Sequence, residues 1–124
     1  ATSSSLAIDR ELASELRRGV PFEVTLRVRA PAEAGPLVVE LPLAPGLVLE
    51  PSSLDALRES GAILDARERG AGWTLGLPHG EERSLTLRVV AERPGELAWP
   101  PARVRRALVP EARARSSEAR LVVR

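Results

Sequence analysis

The chain has 124 residues, of which 44% are apolar and 28% are charged, and this is the composition of a single globular domain with one hydrophobic core. Cysteine is absent and histidine occurs once, which excludes disulfides, thiol nucleophiles and metal sites that need two imidazoles. The charge is almost balanced, with 18 basic residues against 17 acids and a net charge of +1. We expect residues 1–124 to form one domain in which residues 1–5 are a linker or an added tail.

Lysine, asparagine, glutamine, methionine and tyrosine are also absent, so every basic residue is an arginine. Loss of heat-labile Asn, Gln, Met and Cys indicates a thermophilic source, whereas a GC-rich genome that favours Arg, Ala, Gly and Pro codons explains the same bias. Both explanations stay open, and neither bears on function.

Period-two alternation is the clearest pattern in the chain. Between Phe22 and Arg29, four apolar residues alternate with four polar ones, which predicts a half-buried antiparallel strand. Weaker or similar alternation, bounded by proline and glycine turns, predicts further strands at residues 36–43, 47–49, 62–68, 73–77, 84–91 and 118–124.

Two segments depart from this pattern. Pro51–Gly61 combines serines near its start, an acid in the first turn, two leucines three residues apart and a terminal glycine, which predicts a short helix capped by serine. Asp9–Gly19 has two leucines four residues apart and also ends on glycine. It is predicted to be either a helix or an irregular strand or loop.

Short strands separated by Pro and Gly turns, with one helix between them, are typical of a two-sheet sandwich. We therefore predict an all-β fold, an antiparallel β-sandwich of seven to eight strands with one short crossover helix. Because the chain has only three aromatic residues, leucine and valine must supply most of the core.

The residues with catalytic side chains do not form a recognisable constellation. His79 lies between Pro78 and Gly80 in a predicted turn, where an exposed imidazole of no special role is expected. Glu81 and Glu82 are adjacent in sequence, so on a strand they would face opposite sides, and the helix serines are explained as caps. No phosphate-binding loop, nucleophile elbow or metal-ligand spacing is present. We predict no enzyme activity, no cofactor and no metal site.

Positive charge is concentrated at the end of the chain. Residues 103–124 carry seven arginines and two glutamates, but the chain lacks the aromatic platforms of single-strand nucleic-acid binders, so no nucleic-acid partner is predicted. Arg103, Arg105 and Arg106 could dock an acidic partner or a neighbouring domain. The alternative is an outward face whose arginines pair with surface glutamates. Trp99, just before this segment, is either a core residue or an exposed contact.

A series of short motifs from Gly46 to Val123 resembles the C-terminal domain of the alpha-2-macroglobulin family in its bacterial form. The motifs that carry the resemblance are Leu43-Ala44-Pro45-Gly46-Leu47, the helix Ser53–Gly61, Leu77-Pro78-His79-Gly80-Glu81, the Pro-Gly and Pro-Pro-Ala pattern of Arg93–Ala102, and Val109-Pro110-Glu111 before the last strand. Leu6–Glu11 and Arg18–Val24 also fit the bacterial form.

The resemblance implies a non-catalytic module of a larger protein of the cell envelope, periplasmic or extracellular, with membrane anchoring only through that parent. Such parents trap proteases: cleavage of a bait segment triggers a collapse that cages the attacker. This domain would pack against neighbouring domains and be repositioned, and it would meet target proteases only through the parent. The expected contacts are Arg103, Arg105 and Arg106, together with Asp55, Arg58 and Glu59 on the helix.

Two departures from the family pattern affect these expectations. Members with an internal thioester have a Tyr just before the Pro-Glu that shields the thioester from water, whereas this chain has Leu108 and Val109 there and no Tyr. This implies a resemblance to the bacterial subgroup without a thioester. Animal receptor recognition uses lysines on the helix, and this helix has none, so receptor binding is not implied.

Two other function classes remain open from the sequence. The first is a fibronectin-III-like adhesive or ligand-binding module of a cell-surface protein, which would recur in adjacent repeats. The second is an accessory domain of a secreted hydrolase, which predicts a catalytic domain upstream.

Overall fold

The computed structural model describes residues 6–12, 15–79, 82–109 and 111–124. Residues 1–5, predicted to be a linker or tail, lie outside the described residues. The strands are β1 (Ala7–Leu12), β2 (Glu15–Leu16), β3 (Phe22–Arg29), β4 (Leu37–Pro42), β5 (Leu47–Leu49), β6 (Asp65–Arg69), β7 (Gly72–Leu77), β8 (Arg83–Ala91), β9 (Gly95–Trp99), β10 (Arg103–Arg106), β11 (Arg113–Arg115) and β12 (Ala119–Val123). One α-helix, α1 (Pro51–Ser60), and a short 3₁₀ helix (Ala32–Ala34) complete the described elements.

The strands form three sheets. A four-stranded sheet has the order β1-β3-β8-β5, a five-stranded sheet the order β11-β10-β4-β7-β6, and a small sheet the order β2-β12-β9. All strand pairs in the described residues are antiparallel except β2 with β12, which are parallel. The predicted all-β sandwich with one short helix is confirmed. The structure has more strands than the seven to eight predicted, because several are only two to five residues long, and it adds the small third sheet.

The two larger sheets face each other across one core. In β3 the inward residues Val24, Leu26 and Val28 are fully buried while Glu23, Arg27 and Arg29 are exposed, so the predicted alternation is confirmed. The same holds for β4 and β8, whose buried residues are Leu37, Val39 and Leu41, and Leu85, Leu87 and Val89. The core is built mainly from leucine and valine, as the scarcity of aromatic residues required.

Helix α1 connects β5 in the four-stranded sheet to β6 in the five-stranded sheet, so it is the predicted crossover helix. Gly61 ends it in the left-handed conformation, with φ of 80°, and its N–H donates to the Arg58 carbonyl. The predicted serine cap is wrong. Glu50 is the N-cap residue and makes no side-chain cap, and the Ser53 hydroxyl donates to the Glu50 carbonyl instead. Pro51 explains this start, because it fixes a helical φ and has no N–H to be capped.

The N-terminal segment, predicted to be either a helix or an irregular strand or loop, forms β1 and β2, so the helical alternative is wrong. Residues 13–14 lie outside the described residues. The β1 strand runs antiparallel to β3 over its whole length. Ile8, Arg10 and Leu12 face inward and Asp9 and Glu11 face solvent. Pairing with a buried strand therefore overrides the helix propensity of this sequence.

Trp99 lies where the three sheets meet. It is the last residue of β9 and fully buried, so it is a core residue and not an exposed contact. Its indole Nε1 donates a hydrogen bond to the carbonyl of Pro42, the last residue of β4. A buried tryptophan whose N–H is satisfied contributes a large apolar surface without an unpaired donor.

Arg10 covers the ring of Trp99 from the four-stranded sheet. The guanidinium carbon lies 4.5 Å from the ring centroid, within the range of a cation–π interaction. The same guanidinium donates to the carbonyls of Pro100 (2.7 Å), Trp99 (3.0 Å) and Ser117 (3.1 Å). Its partial burial lowers the pKa of the Arg10 guanidinium through desolvation. One arginine thus links β1 to the end of β9 and to the segment that leads into β12.

Replacing the buried tryptophan should destabilise the domain strongly. We expect Trp99→Ala to lower the free energy of unfolding by about 3–5 kcal/mol, because it leaves a cavity where the sheets meet. The matched control is Trp73→Ala, since Trp73 is only partly buried, and it should cost clearly less. Urea unfolding followed by circular dichroism measures both, and equal costs for the two variants would contradict the central role of Trp99.

Replacing the arginine that covers this ring should also weaken the fold. Arg10→Ala removes three hydrogen bonds and the cation–π contact, so we expect a loss of about 1–3 kcal/mol. The control is Arg27→Ala on the neighbouring strand, where an exposed ion pair with Glu11 (3.2 Å) is worth about 0–1 kcal/mol. Thermal unfolding compares the two, and a smaller effect for Arg10 than for Arg27 would refute the assignment.

Candidate functional site

Strands β10 and β11 place four arginines on one side of the five-stranded sheet. Arg103 lies directly opposite Arg115, and Arg105 lies directly opposite Arg113. Directly opposed residues of an antiparallel pair point to the same face, and this face is the outer one, because the intervening Val104 is fully buried. We call Arg103, Arg105, Arg113 and Arg115 the arginine face.

The arginines of the arginine face make no ion pair within 4 Å with an acid in the described part of the chain. The described ion pairs use other arginines, namely Arg27, Arg29, Arg58, Arg67 and Arg88. Glu40 on β4 is opposite Arg103 in the register, but no ion pair within 4 Å joins them. The alternative of an outward face paired with surface glutamates is therefore not what the described residues show.

Arg106 is separated from the other two predicted contact arginines. It follows Arg105 in β10, so its side chain leaves the strand on the opposite side, where its register partner on β4 is the buried Leu37. Its Nε donates to the Ala34 carbonyl (3.0 Å) at the end of the 3₁₀ helix. Arg106 therefore holds a connection inside the domain, whereas Arg103 and Arg105 are on the outer face.

The helix residues form a second surface, away from the arginine face. Asp55 and Arg58 make an ion pair at 2.9 Å, and Arg58 also donates to the Ala66 carbonyl (3.3 Å) in β6. Glu59 is exposed. Because β6 is at one edge of the five-stranded sheet and β11 at the other, the structure does not bring the two predicted groups of contact residues together.

Two residues of the arginine face, and the arginine that covers Trp99, were not predicted from the sequence. Arg113 and Arg115 were counted in the basic segment, but only strand pairing shows that they oppose Arg105 and Arg103. An Arg-Ala-Arg alternation was the available signal. For Arg10 the signal was its shared face with Ile8 and Leu12 in an alternating strand.

The fold is similar to parts of several bacterial crystal structures. A native alpha-2-macroglobulin fragment of Escherichia coli, from domain MG7 to the C-terminus, is 24% identical with a TM-score of 0.76, covering 98% of this chain and 24% of that one. Trypsin-activated E. coli alpha-2-macroglobulin is 24% identical with a TM-score of 0.80, and the match covers 99% of this chain and 10% of that one. Salmonella alpha-2-macroglobulin reacted with methylamine is 25% identical with a TM-score of 0.73, and the match covers 98% of this chain and 9% of that one.

The chain has a macroglobulin-type fold. The resemblance predicted from the sequence motifs is thereby confirmed by the three-dimensional structure over nearly the whole chain. This macroglobulin-type domain spans about a quarter of the E. coli fragment and about a tenth of the longer chains. No family model and no curated protein matches the sequence.

A more distant similarity joins the macroglobulin-type domain to a cohesin module from a family 33 glycoside hydrolase of Clostridium perfringens. The identity is 11% and the TM-score 0.54, with 98% of each chain covered. At this identity the similarity concerns the fold alone.

No three His, Asp or Glu side chains among the described residues are grouped so that they could hold a metal ion. His79 is exposed, and its Nδ1 accepts a hydrogen bond from Arg83 (3.0 Å). Glu82 pairs with Arg29 at 3.3 Å, and Glu81 lies outside the described residues. No helix among the described residues is long and apolar enough to cross a bilayer.

The different positions of the neighbouring arginines predict different effects on stability. Arg106→Ala should lower the free energy of unfolding by about 1–2 kcal/mol, because it removes the hydrogen bond to the Ala34 carbonyl. Arg105→Ala should be neutral or slightly stabilising at low ionic strength, because it removes repulsion from Arg113. Thermal unfolding of both variants decides this, and a larger loss for Arg105 would contradict the assignment.

Proposed function

We propose that this chain is the C-terminal module of a bacterial alpha-2-macroglobulin-like protease-trapping protein, where it packs against neighbouring domains and is repositioned on bait cleavage. The observation that carries the proposal is the similarity to bacterial alpha-2-macroglobulins, with TM-scores of 0.73 to 0.80 over 98–99% of the chain. The order of the sequence motifs supports the C-terminal position, and one of the similar structures runs from MG7 to the C-terminus.

Similarity to both a native and an activated protein supports movement as a rigid unit. The TM-scores are 0.76 with the native fragment and 0.80 with the trypsin-activated form, so the same internal fold fits both. A single tightly packed core resists internal deformation. In this proposal, bait cleavage changes the contacts of the module with its neighbours and leaves its sheets as they are.

Two surfaces of the module are the proposed contacts. The first is the arginine face together with the adjoining loop after β10, where Leu108 is 77% exposed. The second is the outer side of α1 with Asp55, Arg58 and Glu59, which are all exposed. Exposed arginines that make no described ion pair are available to carboxylates of a partner, and Arg106 contributes only by fixing the end of β10.

The module itself is proposed to be non-catalytic, and target proteases would be partners of the parent protein. The proposed location is the cell envelope, periplasmic or extracellular, with any membrane anchor supplied by the parent. The function of a sandwich domain depends on what is attached to it, so these points belong to the whole protein.

A second candidate is a ligand-binding module of a cell-surface or secreted protein. The similarity to the cohesin module supports it, since that module belongs to a glycoside hydrolase and covers 98% of this chain. The lower TM-score of 0.54 places it behind the first proposal.

The intact protein encoded by the reading frame that contains this chain tests the proposal. After addition of trypsin we expect the protein to become more compact in small-angle scattering, and the bound trypsin to cleave a small peptide substrate but not casein. A cage excludes large substrates by size, which explains this difference. Deletion of this module should abolish the protection of casein. Deletion of an N-terminal domain of similar size is the control, and it should affect that protection less. Tandem repeats of this domain in the intact protein, or a catalytic domain upstream of it, would instead contradict the protease-trap proposal.

A further inference from the structure

The arginine face is unfavourable for the isolated domain. Two pairs of like charges are directly opposed across β10 and β11, and such pairs destabilise a sheet. None of the four side chains makes an ion pair with a described acidic residue. The two like-charged pairs therefore destabilise the described fold, although Glu40 lies opposite Arg103 in the register, and a bound anionic partner would remove the repulsion.

The spacing of the four guanidinium groups matches one kind of partner. Alternate residues of a strand are about 6.8 Å apart, and directly opposed residues are about 5 Å apart. An extended polypeptide with an acid at every second position repeats its carboxylates at the same interval of about 6.8 Å. The arginine fork binds a carboxylate through two parallel hydrogen bonds.

The surroundings of the arginine face limit where such a segment lies. The four arginines and Glu40 border a groove of about 460 Å³ on this outer face. Glu40 would repel a carboxylate placed over β4, so an acidic segment is confined to β10 and β11. None of the residues that line the groove is aromatic, so it offers no platform for stacking nucleic-acid bases.

We propose that the arginine face binds an extended acidic segment of a partner polypeptide whose carboxylates occupy alternate positions. One carboxylate lies between Arg103 and Arg115 and the next between Arg105 and Arg113. This inference deepens the proposed contact surface and rests on the proposed function for the partner's identity, a neighbouring domain of the parent. The binding site itself is tested on the isolated chain, so its failure is distinguishable from failure of the protease trap.

The test uses a fluorescent, end-blocked peptide of four Glu-Thr repeats and the 124-residue chain at low ionic strength. Fluorescence anisotropy should show binding that weakens as salt is added. The variant Arg105→Ser with Arg113→Ser should bind at least about tenfold more weakly, because two charge-assisted contacts are lost. The control variant Arg17→Ser with Arg18→Ser removes the same charge from an exposed turn. Its affinity for the peptide should be within about twofold of that of the unsubstituted 124-residue chain.

Three comparisons can overturn the proposal. A peptide with the same composition but paired acids, Glu-Glu-Thr-Thr repeated twice, should bind several-fold more weakly, and equal binding would refute the alternating segment. Equal losses of peptide affinity in the two double variants would show that binding depends only on the net charge of the chain. Tighter binding of inorganic polyphosphate or of phosphatidylglycerol vesicles than of the alternating peptide would assign the face to a phosphate-bearing partner instead. Circular dichroism checks that both variants remain folded.

Discussion

The contact between Arg10 and Trp99 brings together all three sheets of the domain at one point. The tryptophan belongs to the small sheet and donates to the end of the five-stranded sheet, and the arginine reaches it from the four-stranded sheet. Each of the three sheets is therefore fixed relative to the other two through one indole ring. The Arg10 Nε is buried and has no hydrogen-bond partner among the described residues, so the linkage carries a desolvation cost that the ring contact and three carbonyls offset.

The elements that follow from local chemistry were predictable from the sequence. The alternation in β3 and the Pro51 start and Gly61 end of α1 each depend on residues next to one another in the chain. Strands such as β2 and β11 have two or three residues, too few for a period to show, and exist because a partner strand supplies their hydrogen bonds. The same dependence on a partner explains why β1 and β2 are extended despite the helical pattern of this part of the sequence.

The candidate site shows the same division between local and distant information. The excess of arginine near the end of the chain was visible in the composition, but a count cannot distinguish Arg105, on the outer face, from Arg106, bound to the Ala34 carbonyl. The register of β10 with β11 makes that distinction and creates the opposed pairs. Sequence alone could therefore predict a basic surface without predicting its geometry.

The position of β12 between β2 and β9 affects how the chain reaches this fold during synthesis. The Arg124 N–H donates to Leu16, and the Arg124 carbonyl accepts from Arg18, so residues near the start of the chain find their partners only when residues 119–124 have left the ribosome. Until then residues 15–16 and 95–99 lack the strand that pairs with them in the described fold, and their backbone groups are open to pairing with other chains. A ribosome that stalls shortly before Ala119 would thus release a chain with most of its core residues but two uncovered edges, which makes such truncated products candidates for aggregation and for rapid removal by quality-control proteases.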